Sequence, residues 1–359
     1  MQIHQVLVSA SRGDAITNAA LEIRGLLRQA GPSEIYARYF DPGLAHEVKP
    51  LDQYGRRRGS DPVNDVICYH ASIGEPDVLS FIMERPERLV LVYHNISPPE
   101  PFLQYAPRFA GLLEAGRLEL AELASRTQLA LAASSYNAAE LIDLGFADVR
   151  VSPLIIDLAR LSEVPPDPLT LNHLCTQVEG PVVLFVGQLL PHKRPDLLVE
   201  AYHVLTTYLV PEAHLIMVGA GRLPAYRQAL QLLVHELNLP NAWLTGPVPD
   251  EQLSAFYRRA DVFATASEHE GFCVPLVEAM ALDVPVVARA HAAVPETAGD
   301  AALLLPPHDD PVLFGEALAE VLTDADLSTK LTDRGRERAG VFAPDKARAT
   351  FLENLLTLV

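Results

Sequence analysis

Short apolar runs alternate with amphipathic stretches over nearly the whole chain, and this alternation limits the fold more than any other feature. In the first half the apolar runs are Gln5–Ser9, Glu34–Phe40, Asp65–His70, Arg88–His94, Gln128–Ala133 and Asp148–Ser152, with helical periodicity between them, as in Asn18–Gln29 and Pro107–Ser125. A run such as LVLVY has no polar face, which suits a parallel strand covered on both sides, and each parallel neighbour requires a crossover helix. A second series follows: Pro181–Gly187, Ala213–Gly219, Asn241–Gly246, Asp261–Ala266, Val284–Ala288 and Ala302–Leu305. Between the two series, Pro153–Val178 holds four prolines and no sustained period, and it reads as a linker. The pattern predicts an α/β protein of two doubly wound, Rossmann-like domains, 1–170 and 171–343, with residues 344–359 crossing back onto the first. Two such sheets leave a cleft at the carboxyl ends of their strands, where α/β proteins place ligands.

A length of 359 residues exceeds one ordinary core and fits two. The formal charge of −18 excludes duplex nucleic acid as a partner, because phosphate binding needs clustered cations, and it leaves at most peripheral contact with an anionic membrane. Arg56-Arg57-Arg58 is the one cationic run; it reads as a solvated loop, with an acidic-lipid contact as the minority reading. Cys68, Cys175 and Cys273 lie far apart without metal-ligand spacing and read as reduced thiols. The opening MQIHQVLVSASRGD lacks a charged region followed by a long apolar stretch, and no segment offers the ~18 consecutive apolar residues of a membrane helix. The expectation is a cytoplasmic protein, at most peripheral at the inner face of a membrane.

The most informative segment is SEHEGFCVPLVEAMALDVPVVA, Ser267–Ala288. It runs from a strand end through a polar loop into a helix beginning near Pro275, and Glu270 and Glu278 flank seven residues within it. Gly271 lets a ligand approach the backbone, the helix N-terminus offers unpaired N–H groups, and carboxylates at the two ends of the loop can accept hydrogen bonds from neighbouring hydroxyls. Taken singly, Glu278 reads as a helix-dipole partner and Glu270 as a solvated side chain. The whole string closely resembles the Glu-x7-Glu signature of the retaining glycosyltransferases of family 4, which have the GT-B fold. VVLFVGQLLPHKRPDLLVEAY (Val182–Tyr202), LIMVGAG (Leu215–Gly221) and VPDEQLSAFYRRADVFATAS (Val248–Ser267) resemble other blocks of that family's C-terminal domain. YHNISPP (Tyr93–Pro99) and SASRGDAITNAAL (Ser9–Leu21) are similar, less specifically, to N-terminal segments of bacterial members.

The resemblance implies a nucleotide-sugar donor held mainly by the second half. Glu270 would contact the donor sugar, helped by the backbone of Phe272 and Cys273, and Glu278 would accept the ribose hydroxyls. Lys193 would bind the pyrophosphate, with Arg194 as a neighbouring cation. Gly187, Gly219, Gly221, Val248, Gly271 and Val274 would complete the donor site, and His94 would lie beside the reacting sugar. The leaving diphosphate gains charge as its bond to the sugar breaks, so preorganised cations and N–H dipoles lower the barrier. No Asp-x-Asp stands where it would hold a metal, so no metal and no cofactor are expected.

One departure matters: the family's arginine after the phosphate-loop glycine is here Gln188, so Arg194 or another cation substitutes, or phosphate stabilisation is weaker. The family's Gly-Gly loop in the first domain is also missing. Gly13-Asp14 stands there, either as an acceptor or phosphate loop or with Asp14 merely capping the following helix. His94 ends an apolar strand, the expected place for a ligand contact, although a buried, satisfied histidine is common; His70 ends another strand and is a weaker candidate. The function expected is metal-independent, retaining transfer of a hexosyl-type sugar to an acceptor hydroxyl on a glycan, lipid-linked or small-molecule acceptor, in bacterial glycan or glycoconjugate synthesis. The alternatives are a GT-B enzyme that processes nucleotide sugars without an acceptor, such as an epimerase, and a silent nucleotide-binding subunit of a transferase. A dinucleotide oxidoreductase is disfavoured, because neither sheet opens with a Gly-x-Gly-x-x-Gly fingerprint.

Overall fold

A computed structural model of the chain describes residues 2–55 and 64–358, so Arg56-Arg57-Arg58 lie outside the described residues. The chain forms two compact units, which part after Ile156, whereas the sequence reading divides it at 170/171.

The first unit is built on seven parallel strands: β1 (Ile3–Ala10), β2 (Ile35–Phe40), β3 (Val48–Pro50), β4 (Val66–Ala71), β5 (Arg88–Tyr93), β6 (Leu129–Ala132) and β7 (Val149–Val151). Their order is β3-β2-β1-β4-β5-β6-β7. β4 is buried at every position and β5 at all but its first, as strands covered on both faces must be. The six strands expected from apolar runs all form here. The seventh, β3, was not foreseen, because its sequence VKP offers one aliphatic residue set between the charged Glu47 and Lys49. Pro50 is tolerated there because β3 pairs only with β2 and stands at the sheet's edge. The helix Pro344–Leu356 belongs to this unit: Ala347, Phe351 and Leu355 join Ile3, Val66 and Val90 in its core, and Arg348 pairs with Glu22 at 2.7 Å.

The second unit holds β8 (Val182–Val186), β9 (His214–Val218), β10 (Ala242–Gly246), β11 (Val262–Thr265), β12 (Val286–Arg289) and β13 (Ala302–Leu305), all parallel. The order β10-β9-β8-β11-β12-β13 reverses direction at β8, the topological switch at which doubly wound sheets bind ligands. The core of this unit is formed by residues such as Val183, Phe185, Leu197, Val262, Val287 and Phe314.

The linker reading of Pro153–Val178 needs correction. Helices Ala159–Glu163 and Pro168–Gln177 form within it, and both belong to the second unit. The prolines misled: Pro168 occupies the first helical turn, where its missing N–H costs nothing, and the Asp167 carboxylate accepts the Thr170 N–H at 2.7 Å as a cap. Leu161 and Leu174 anchor the two helices by burial.

Candidate active site

The loops that leave β8, β9 and β10 are tied together by backbone hydrogen bonds. Gly187 N–H donates to Val218 O at 2.9 Å, Leu189 N–H to Ala220 O at 2.9 Å, and Gly219 N–H to Gly246 O at 3.0 Å. The approach is so close that a Cβ on Gly219 would stand 1.8 Å from the Gly187 carbonyl oxygen, so only glycine fits. The next loop, after β11, joins the same group through Glu268 N–H to His192 O at 2.8 Å. Strand ends that enter the site are therefore held by main chain, with glycine required at the closest approach.

Two helices begin here. The β8 loop passes through a short turn, Pro191–Lys193, then Arg194 in left-handed conformation (φ 49°) caps the helix Pro195–Val204. The β11 loop ends in Cys273, also left-handed (φ 74°), which caps the helix Val274–Ala281. Neither cap residue supplies a side-chain hydrogen bond, so the first-turn N–H groups of both helices lack the usual side-chain acceptor. The left-handed main chain at two bulky residues costs of order 1–3 kcal/mol each and persists where surrounding structure over-determines it.

Lys193 and Glu270 meet between these elements. Lys193 Nζ donates to Glu270 Oε1 at 2.6 Å, and Ser267 Oγ donates to the same oxygen at 2.8 Å. The side chains are 18% and 11% exposed. Burial pushes the Lys193 pKa down, but the Glu270 carboxylate more than offsets this and holds the ammonium above its ordinary range. Among the described residues nothing donates to Glu270 Oε2, and two of the three Lys193 N–H groups have no acceptor. The loop carries Gly271, then Phe272, whose carbonyl accepts from Thr297 Oγ1 at 2.6 Å. Phe272 and Cys273 are buried, and Val274 opens the helix. Burial pushes the Cys273 thiol far up, which keeps it protonated at neutral pH.

Glu278 lies in the second turn of that helix. Its Oε1 accepts from Arg160 Nη2 at 2.9 Å and its Oε2 from Tyr257 Oη at 3.1 Å; Arg160 also pairs with Asp250. Burial raises the Glu278 carboxyl above its usual range despite the opposing pull of Arg160 and Tyr257. Sequence reasoning missed Arg160, Tyr257 and Asp250. Arg160 lay in the supposed linker, and the other two stood inside a motif block without any spacing to mark them.

Arg194 points elsewhere. Its guanidinium bonds Asp196, Glu268 at 2.7 Å and Asp309 at 2.5 Å, and Arg289 joins the same cluster through Asp309 at 2.8 Å. Three carboxylates already match this cation, so it is not a free substitute for the arginine that Gln188 replaces. The Gln188 side chain itself makes no hydrogen bond among the described residues. Gly221 sits against the Arg227 side chain, and Val248 is half-buried just before the helix Asp250–Arg259.

The first unit holds the remaining candidates. His94 follows β5, with its N–H bonded to Ala71 O at 3.1 Å. His94 Nε2 lies 2.7 Å from His70 Nδ1, the rings stack at 11°, and His70 Nε2 lies 2.9 Å from Gln5 Oε1. Burial pushes His94 down to about 4 and His70 well below its ordinary value, so both rings are neutral at pH 7. For Gly13-Asp14, the capping alternative is the one observed: Asp14 Oδ2 accepts from Thr17 N–H and Thr17 Oγ1, each at 3.0 Å. Gly13, at φ 73°, needs to be glycine for its backbone alone, since an added Cβ would face open space. It borders an open groove of about 610 Å³ lined also by Arg12, Asn18 and His46. No three His, Cys, Asp or Glu side chains among the described residues are grouped to hold a metal ion.

Residues 175–338, which contain Lys193, Glu270 and Glu278, match the family described as glycosyl transferases group 1. The second unit carries a group 1 glycosyltransferase domain. The whole chain superposes on sucrose-phosphate synthase from Thermosynechococcus elongatus with a TM-score of 0.78 at 19% identity, covering 100% of this chain and 99% of that one. Anabaena HepE in complex with UDP-glucose gives a TM-score of 0.78 at 18% identity, covering 99% and 100%. Both units therefore have the GT-B architecture of two Rossmann-like sheets. In sequence, the chain is 32% identical over 238 residues to a D-inositol 3-phosphate glycosyltransferase of Xylanimonas cellulosilytica, covering 62% of this chain and 56% of the relative. It is 27% identical over 279 residues to the O-antigen chain mannosyltransferase B of Escherichia coli, covering 73% and 68%. The chain thus spans little more than half the length of the first of these relatives. No helix among the described residues is long and apolar enough to cross a membrane.

Proposed function

We propose that this chain transfers a hexosyl-type sugar from a nucleotide-diphosphate sugar to an acceptor hydroxyl, with retention of configuration and without a metal ion. The observation that carries the reading is the Lys193–Glu270 pair, with one carboxylate oxygen and two ammonium N–H groups left open beside two helix N-termini that lack side-chain caps. In this reading Lys193 and the helix N–H groups meet the charge that grows on the departing diphosphate. Glu270 accepts from a sugar hydroxyl, with Gly271, Phe272 and Cys273 offering main chain beside it. Glu278, its charge steadied by Arg160 and Tyr257, accepts from the ribose. Gly187, Gly219, Gly221, Val248 and Val274 border the nucleotide, and on the first unit His94 offers a contact to a sugar hydroxyl. The departing phosphate takes the acceptor proton in a front-side substitution, since no side chain here presents itself as a covalent nucleophile.

HepE is described in complex with UDP-glucose and one relative as a mannosyltransferase, which motivates UDP-glucose and GDP-mannose as first donors. The expected result is thermal stabilisation by one of them and consumption of it that survives exhaustive EDTA treatment. Loss of turnover restored by Mg²⁺ or Mn²⁺ overturns the metal-free part. The second reading, a nucleotide-binding subunit without turnover, is favoured by the idle Gln188 and the matched charge of Arg194. Stabilisation by the free diphosphate with no consumption of any sugar nucleotide supports it. A GT-B enzyme that needs no acceptor instead releases nucleotide when acceptors are withheld.

A further inference from the structure

The buried chain from Gln5 through His70 to His94 has a determined direction. The Gln5 amide nitrogen donates to the Ala20 carbonyl at 2.9 Å, and a carbonyl oxygen only accepts, so the other end of the amide, Oε1, faces His70. Oε1 is likewise only an acceptor, so His70 carries its proton on Nε2. In a neutral ring Nδ1 is then a bare lone pair, and the 2.7 Å contact to His94 requires a proton on His94 Nε2. His94 Nδ1 is therefore left as an acceptor, buried and without a partner among the described residues. An unmet buried acceptor costs about 1–3 kcal/mol, so the arrangement waits for a donor. The sheet explains the path: Cys68, opposite Gln5, and His70 point to one face of β4, and Val92, opposite His70, points to that face of β5, two residues before His94, which follows the strand.

We propose that Gln5 and His70 are positioning residues that hold His94 in the Nε2–H tautomer, so that its Nδ1 accepts a hydrogen bond from a hydroxyl of the sugar ligand. The ligand half of this inference rests on the transfer reading above; the tautomer half does not. It follows that His94 cannot serve a phosphate oxygen, which brings no proton to donate.

The test is imidazole ¹⁵N NMR on the ¹⁵N-histidine-labelled full chain, with Gln5→Leu as the variant. In the wild type, His70 and His94 are expected to carry protons on Nε2 alone; a proton on His94 Nδ1 overturns the proposal without any variant. In Gln5→Leu, His70 loses its anchor, can donate from Nδ1, and transfers the His94 proton to Nδ1. Turnover of UDP-glucose or GDP-mannose should then fall about tenfold in kcat, the loss of one neutral hydrogen bond, while the affinity for UDP or GDP changes less than about twofold. Equal losses in turnover and diphosphate affinity mark a merely structural role and overturn the positioning claim, as does unchanged turnover with a shifted tautomer. If the wild type consumes neither sugar nucleotide, the transfer reading fails with the ligand half, and the wild-type spectrum still decides the tautomer.

Discussion

Replacing Lys193 by methionine removes the ammonium while keeping most of the side chain's length, and it separates two roles that one contact serves. Glu270 loses its charge partner at 2.6 Å and retains only the Ser267 hydroxyl at 2.8 Å. Removing one member of a buried ion pair costs about 3–5 kcal/mol, because the survivor is left uncompensated. Both side chains keep some exposure, 18% and 11%, so the lower end, about 3 kcal/mol, is expected in urea denaturation. Adding Glu270→Gln removes the stranded charge and leaves an amide that still accepts from Ser267, so most of the stability returns in the double variant. Activity should not return with it. If Lys193 meets the charge on the departing diphosphate, turnover falls by about 2–4 kcal/mol of transition-state stabilisation, roughly 30- to 1000-fold, in the single variant, and by at least as much in the double variant, which also lacks the Glu270 carboxylate. Steady-state turnover measured beside urea midpoints for the wild type and the two variants checks this. Activity that recovers in step with stability refutes the reasoning and makes Lys193 a structural cation.

Two further outcomes follow from the same geometry. Glu278→Ala should weaken the nucleoside diphosphate by roughly tenfold to a hundredfold in calorimetry, the worth of a charged hydrogen bond, and a 2′-deoxy ligand should add little further loss; simple additivity returns Glu278 to a structural partner of Arg160. Stability should fall with acid more steeply in the wild type than in His94→Phe. A histidine that protonates near 4 when folded and near 6.5 when unfolded gives full stability above 6.5 and loses it as the pH drops toward 4. The loss between pH 7.5 and pH 5 is about 2 kcal/mol, and equal slopes of urea midpoint against pH for the two proteins contradict it.

The sheets were legible because burial on two faces writes itself as apolar runs in the central strands, and twelve of the thirteen strands among the described residues fall on runs read from the sequence. β3 escaped because Val48 is its one aliphatic residue, between Glu47 and Lys49, and the helices in Pro153–Val178 escaped because prolines in first turns look like breakers. The site was legible where its residues share one loop. Glu270 and Gly271 are neighbours in the motif, and Lys193 stands in a recognisable strand-to-helix turn. What holds those residues was not legible. Arg160 reaches Glu278 across 118 positions, and Gln5 reaches His70 across 65. Such partners have no period and no spacing; only the packed sheet brings them together. Gln5 did leave one trace, a polar residue inside the apolar strand IHQVLVSA, which a buried strand tolerates only when the side chain finds partners.

The two glutamates of the motif look alike in sequence and differ in physical state. Glu278 has both oxygens bonded to protein, so a ribose must use the remaining lone pairs of a carboxylate whose position and charge are already set. Glu270 has one oxygen crowded by Lys193 and Ser267 and the other open, so it can gain a hydrogen bond without giving one up. The open oxygen belongs to the residue whose partner, Lys193, has unused donors among the described residues. A sugar hydroxyl reaching Glu270 and a phosphate oxygen reaching Lys193 would therefore act on one coupled pair. Drawing Lys193 toward phosphate weakens its hold on Glu270 and makes that carboxylate the stronger acceptor. In the proposed transfer reading, sugar and diphosphate binding are thus coupled through the 2.6 Å contact itself, which no spacing rule between the two residues could have disclosed.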